Sequence, residues 1–114
     1  MTEAVKKWLF DVQTSIEAIE SYLGESRDFN EYRRNQMLRR AVEREFEIIG
    51  EAINRIRKSN EGPEIRNASK IVVLRNQIIH AYDNISDEII WGIIDKYLPA
   101  LSEEIKILLG APLS

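Results

Sequence analysis

The sequence predicts an all-α chain, folded as an antiparallel bundle of four main helices. Three observations point there. Apolar residues recur every three or four positions over several long stretches, which is the period of a helix with one buried face. No stretch alternates apolar and polar residues with the period of two that a strand requires. The connections between the periodic stretches are short, so consecutive helices must pack side by side and antiparallel.

The first helix is carried by Val5, Leu9, Val12, Ile16, Ile19 and Leu23, which form a nearly heptad seam. Thr2 is placed to accept a backbone N–H at its start, and Gly24 stands where a left-handed residue ends it. Trp8 and Phe10 fall off the centre of the seam, where either could cover a neighbouring helix or an interface. After a polar connection, Asp28 with Glu31 resembles a capping box, and a long second helix runs from there to about Lys58. Leu38, Val42, Phe46, Ile49, Ile53 and Ile56 give it an inner face. Gly50 costs this helix about 1 kcal/mol relative to alanine, and the reading is that another backbone approaches closely there.

Ser59 to Pro63 is the strongest break in the chain and is too short for a domain linker. A third helix is expected to begin near Asn67 or Ser69 and to turn Ile71, Leu74, Ile78 and Ile79 inward. Asp83-Asn84 signals a turn, Ser86 is the expected cap of the last helix, and Ile85 with Ile90 is a candidate hydrophobic staple. The last helix buries Ile90, Ile94, Tyr97, Leu101, Ile105 and Leu108, and Pro99 is expected to kink or split it. Gly110 and Pro112 close the pattern.

Composition narrows the function classes. A chain of 114 residues has room for one core, so 1–114 is read as a single domain. The absence of cysteine removes disulfides and thiolate metal sites. A lone histidine, with no HExxH-type pair, argues against a catalytic zinc site, and no metal or cofactor is expected. The formal charge of −3 argues against a protein that coats nucleic acid indiscriminately, while leaving room for a local basic surface. No apolar run approaches the length of a membrane span or a signal peptide, so the chain is read as cytoplasmic, with no membrane partner.

The candidate site lies at 75–82, Arg-Asn-Gln-Ile-Ile-His-Ala-Tyr. Asn76 and the only histidine, His80, are one helical turn apart on one face. Arg75 and His80 lie about 140° apart around the same helix and can flank a common site without touching. A guanidinium suited to a phosphate beside an imidazole suited to moving protons near neutral pH suggests phosphodiester chemistry. The same residues are also compatible with a solvated helix face and one interfacial histidine. On the second helix Arg33, Arg40, Arg44 and Arg55 form a stripe that includes Glu51. It reads first as a solvated face laced with local pairs such as Glu51 to Arg55, and alternatively as an RNA-backbone track through Arg33, Arg40 and Arg44.

These residues resemble a known family. RNQIIHAYDNIS matches the RNxxxH motif of HEPN-domain proteins, in the RxxxxHxY form of HepT-like toxins. AVEREFEIIGEAINRI at 41–56 and IIWGIIDKYLPALSEEIKILL at 89–109 extend the similarity over nearly the whole chain. The resemblance implies a HEPN-type helical bundle that pairs into a homodimer, with the two motifs facing one cleft. It implies a metal-independent endoribonuclease, with Arg75, Asn76 and His80 as catalytic residues. It also implies a cognate minimal nucleotidyltransferase as antitoxin, which adenylylates the tyrosine matching Tyr82. Ala81 departs from the glycine of many relatives, although no functional group is lost.

In a dimer two histidines could divide the roles of base and acid that cleavage by the ribose 2′-hydroxyl requires. Arg75 would stabilise charge on the phosphate, Asn76 would orient the imidazole or the phosphate, and a 2′,3′-cyclic phosphate would result. Two other readings use the same residues. One is a non-catalytic helical dimer that docks a nucleotidyltransferase or binds a nucleotide. The other is a structural dimer without a ligand.

Overall fold

In the computed structural model, residues 1–80 and 86–110 are described. They form six helical segments with no strand among them: α1 (Glu3–Leu23), α2 (Phe29–Arg34), α3 (Gln36–Ser59), α4 (Ala68–His80), α5 (Asp87–Lys96) and α6 (Leu98–Gly110). The expected four helices are present, the second divided into α2 and α3 and the last into α5 and α6.

Both divisions have local causes. The expected unbroken second helix stops at Asn35, whose backbone N–H still reaches back to Glu31 and Tyr32 while its φ and ψ of −101° and 96° leave the helical region. Its side chain then accepts the Leu38 N–H at 3.0 Å, so one asparagine ends α2 and caps α3. The turn swings α2 so that buried Tyr32 and Phe29 meet Trp91 of α5, with ring centroids 5.3 and 5.6 Å apart. At the other division, Pro99 has no N–H to continue the ladder from α5. It instead occupies the first turn of α6, where none is needed.

Other helix ends follow the sequence. Thr2 Oγ1 accepts the Val5 N–H at 3.1 Å, and Gly24 closes α1 at φ 67°, a value that favours glycine. Asp28 accepts the N–H groups of Asn30 and Glu31. α3 ends on Asn60 in the left-handed region at φ 55°, a conformation asparagine tolerates well. Ser86 departs from expectation. It stands at the start of α5, but its hydroxyl donates to the Glu88 carboxylate at 2.8 Å and caps no backbone group. The proposed Ile85–Ile90 staple and the Asp83-Asn84 turn involve residues outside the described set.

α3 lies at the centre, with α1 on one side and α4 on the other, while α6 packs against α1 and α5 against α6. The seam between α1 and α3 is the deepest part of the core. Val5, Leu9, Val12 and Ile19 meet Val42, Phe46, Ile49 and Ile53, all with no exposed surface. Ile71 and Leu74 bring α4 onto α3, whereas Ile79, expected inside, is exposed. Ile90, Ile94, Leu98, Leu101 and Ile105 complete the core from α5 and α6. No helix among the described residues is long and apolar enough to cross a membrane.

Candidate active site on the fourth helix

Arg75 is placed by a glycine. At Gly50 of α3, an added Cβ would stand 2.3 Å from Cβ and 2.7 Å from Cγ of Arg75, and 3.4 Å from the carbonyl oxygen of Ile71. The close approach expected at Gly50 is therefore the crossing of α4, and the group nearest the glycine is the stem of Arg75. The stem lies flat against α3, and the side chain keeps only 24% of its surface.

The guanidinium then projects into an open groove of about 360 Å³ between α1, α3 and α4. Its Nη2 donates to Glu51 Oε2 at 2.7 Å, and its Nη1 donates to the carboxamide oxygen of Asn76 at 2.9 Å. Nε is buried and has no hydrogen-bond partner among the described residues. Of the five guanidinium N–H bonds, one on each terminal nitrogen has no acceptor among the described residues. Glu51 also accepts from Arg55 Nε at 3.0 Å. The Arg55 hydrogen bond and the charges of Arg75, Arg55 and Lys58 hold its carboxyl below the usual carboxylate range.

Among the described residues, the groove is lined by four cations and three carboxylates: Lys7, Arg44, Arg55 and Arg75 with Asp11, Glu47 and Glu51. Each carboxylate is engaged. Lys7 meets Asp11 at 2.8 Å, Arg44 meets Glu47 at 3.1 Å, and Glu51 is shared between Arg55 and Arg75. These exposed pairs contribute little stability individually. They leave a surface of nearly balanced charge with a small positive excess.

His80 is the last residue of α4 and is exposed. It is not among the residues that line the groove, and no hydrogen bond joins it to Arg75 or Asn76 among the described residues. Arg75 faces α3, while Asn76, Gln77 and His80 look outward together with Val73, which is 53% exposed. One chain therefore brings Arg75 and Asn76 into contact and presents His80 on the adjoining outer face. Tyr82, the expected modification site, lies outside the described residues.

The arginine stripe is broken by the turn at Asn35. Arg33 sits on α2, Arg40 is exposed on α3, and Arg44, paired with Glu47, is the only one of the three at the groove. Sequence reasoning read Glu51 only through its local partner Arg55 and missed its bond to Arg75. The available signal was an acidic residue directly after a mid-helix glycine already marked as a crossing point.

Two relatives in Methanocaldococcus jannaschii carry the name of candidate RNases. One is 33% identical over 106 residues, covering 91% of this chain and 95% of that protein. The other is 29% identical over 104 residues, covering 90% and 84%. A further candidate RNase, from Caldanaerobacter subterraneus subsp. tengcongensis, is 33% identical over 82 residues and covers 71% and 73%. No solved structure matches significantly. The sequence profile described as "Ribonuclease HepT-like" matches residues 12–108, and the chain belongs to this HepT-like ribonuclease family.

Proposed function

We propose that the protein is the toxin of a HEPN–MNT type toxin–antitoxin pair, a metal-independent endoribonuclease that acts on cytoplasmic RNA as a homodimer. The observation that carries this reading is the end of α4. A guanidinium fixed on one side, an amide bonded to it, and an outward imidazole one turn further on supply phosphate recognition and proton transfer without a metal.

In the dimer the outer faces of two α4 helices meet, so that two His80 side chains share one cleft. One His80 takes the proton of the ribose 2′-hydroxyl. The oxygen attacks the adjacent phosphorus, and the bond to the 5′-oxygen breaks. The other His80 protonates that leaving oxygen, giving a 2′,3′-cyclic phosphate and a 5′-hydroxyl. Arg75 stabilises the added charge on the phosphate through its uncommitted N–H groups, and Asn76 holds the guanidinium in register. Arg44, at the groove rim, and the more distant Arg33 and Arg40 guide the RNA backbone. Tyr82, two residues beyond His80, is the target of the nucleotidyltransferase antitoxin. AMP attached there adds bulk and negative charge where the RNA phosphate must lie.

The test is cleavage of total RNA in excess EDTA, using protein shown by intact mass to carry no AMP. The parent chain is expected to leave cyclic-phosphate ends. Arg75→Ala and His80→Ala are each expected to lower the rate on the order of 10²- to 10⁴-fold. Absence of cleavage by the unmodified parent would overturn the nuclease reading in favour of a helical dimer that docks a nucleotidyltransferase. The Glu51–Arg75 bond is the observation that favours this second reading, because the cation already has a carboxylate partner within the chain.

A further inference from the structure

We infer that Glu51, together with Gly50 before it, is a positioning residue for Arg75. The inference rests on the nuclease reading above and adds a residue from a different helix to the site. Gly50 lets the stem of Arg75 pass against the backbone of α3, where any side chain would collide with it. Glu51 then receives the far end of the same side chain at 2.7 Å. The two consecutive residues thus hold Arg75 at its base and at its tip, and the chain between has little freedom left.

Three features suit Glu51 to this task rather than to surface ion pairing alone. Its bond to Arg75 joins α3 to α4, across 24 residues of sequence, and is shorter than its local bond to Arg55. Arg75 is three-quarters covered, so its partner is not exchanged freely with solvent. The two acceptors of the guanidinium, Glu51 and Asn76, take different terminal nitrogens, which fixes rotation about the Nε–Cζ bond. A phosphate arriving from the groove then meets a guanidinium already oriented, at no further ordering cost. Arg55, 58% exposed, is the replaceable partner that keeps the second carboxylate oxygen occupied.

The experiment compares wild type, Glu51→Ala and Glu51→Gln, each checked for native helicity by circular dichroism. Glutamine retains a carbonyl oxygen for Arg75, and mobile Arg55 can move away from its amide. Alanine removes the acceptor. Steady-state cleavage of a defined RNA oligonucleotide should show kcat falling in Glu51→Ala by up to on the order of 100-fold with KM nearly unchanged. Glu51→Gln should restore most of kcat. The second measurement is nitrogen-15 NMR of the Arg75 side chain, which needs no catalysis. Wild type and Glu51→Gln should show slow rotation, with distinct Nη1 and Nη2 signals, and Glu51→Ala should show them merged.

Merged signals in the wild type would overturn the positioning role whatever the activity. The role is equally overturned if both variants cleave faster than wild type, since Glu51 would then be only a competitor of the phosphate. It is overturned too if kcat per folded molecule is unchanged in Glu51→Ala. A wild type that holds Arg75 rigidly yet cleaves no RNA overturns the nuclease reading instead, leaving the positioning of Arg75 in place.

Discussion

The two seams on either side of the bundle are built differently. Between α1 and α3, Val5, Leu9, Val12 and Ile19 close on Val42, Phe46, Ile49 and Ile53, and none keeps any exposed surface. On the side of α4 that faces α5 and α6, the packing is open. A groove of about 310 Å³ runs between Val73, Leu74 and Gln77 on one wall and Ile93 and Tyr97 on the other. Polar ties bridge this side: Lys70 donates to the Tyr97 hydroxyl and lies over its ring, and the Arg66 N–H bonds the Glu104 carboxylate. The contrast separates two jobs. The α1–α3 seam supplies apolar burial, which dominates stability. The helix that carries Arg75, Asn76 and His80 is anchored chiefly on α3, which leaves its outer face available for the proposed chemistry.

The largest effect on stability should come from breaking the closed seam. Phe46→Ala is expected to lower unfolding free energy by about 3–5 kcal/mol, because both the burial and the packing around the ring are lost. Val73→Ala, on the open side, should change it by less than about 0.5 kcal/mol. Urea titration of both variants measures the difference. Similar losses would mean that the outer face of α4 is packed as tightly as the core, and the contrast would fail.

Gly50→Ala probes the place where the two regions join. Alanine should favour the helix by about 1 kcal/mol, yet its Cβ collides with Cβ and Cγ of Arg75 at 2.3 and 2.7 Å. Those atoms are the base of a side chain and can yield only if α4 moves. Overpacking of this kind costs about 1–3 kcal/mol. The net expectation is a modest destabilisation accompanied by loss of Arg75 alignment, read by thermal melts and by cleavage rate. A stabilised variant with full activity would show that α4 can shift away without consequence.

These contrasts explain what the sequence could reveal. The inner faces of α1 and α3 were legible because burial on one side of a helix leaves a periodic trace, and Val42 through Ile56 follow it. Gly50 was legible as a crossing because glycine in mid-helix has a cost that something must offset. The turn at Asn35 was not, since asparagine has a modest helix propensity and only the pull of Tyr32 and Phe29 toward Trp91 shows why the chain bends there. Ile79 was misplaced because periodicity cannot distinguish the core from an apolar position at a groove rim. The Glu51–Arg75 bond depends on the register of two helices, whereas a single helix wheel shows only Glu51 with Arg55. Thus the scaffold was read from periodicity, the candidate residues from their chemistry and the family resemblance, and the cross-helix Glu51–Arg75 bond only from the fold.

The smallest expected effect sharpens the same contrast within α3 itself, between two of its glutamates. Burial is the main force pushing the Glu43 carboxyl above its usual value, opposed by Arg40 and Arg39 and reinforced by Asp87 and Glu47. Only at pH between the unfolded and the raised folded value does the folded protein hold at Glu43 a proton that the unfolded chain has released. The stability from this group is full below the unfolded value and declines as pH rises through the folded one. Glu51, held low by Arg55 and Arg75, behaves oppositely, and its contribution is lost only as pH falls through its depressed folded value. Glu43→Gln should therefore raise stability near neutral pH by well under about 1 kcal/mol, since the site is partly solvated. Its advantage over wild type should shrink toward acid pH, where the wild-type carboxyl is protonated. Thermal melts from mildly acidic to neutral pH would show this as two converging curves. A constant offset would place the effect in side-chain packing, and the distinction between a carboxylate burdened by burial and one supported by arginines would not hold.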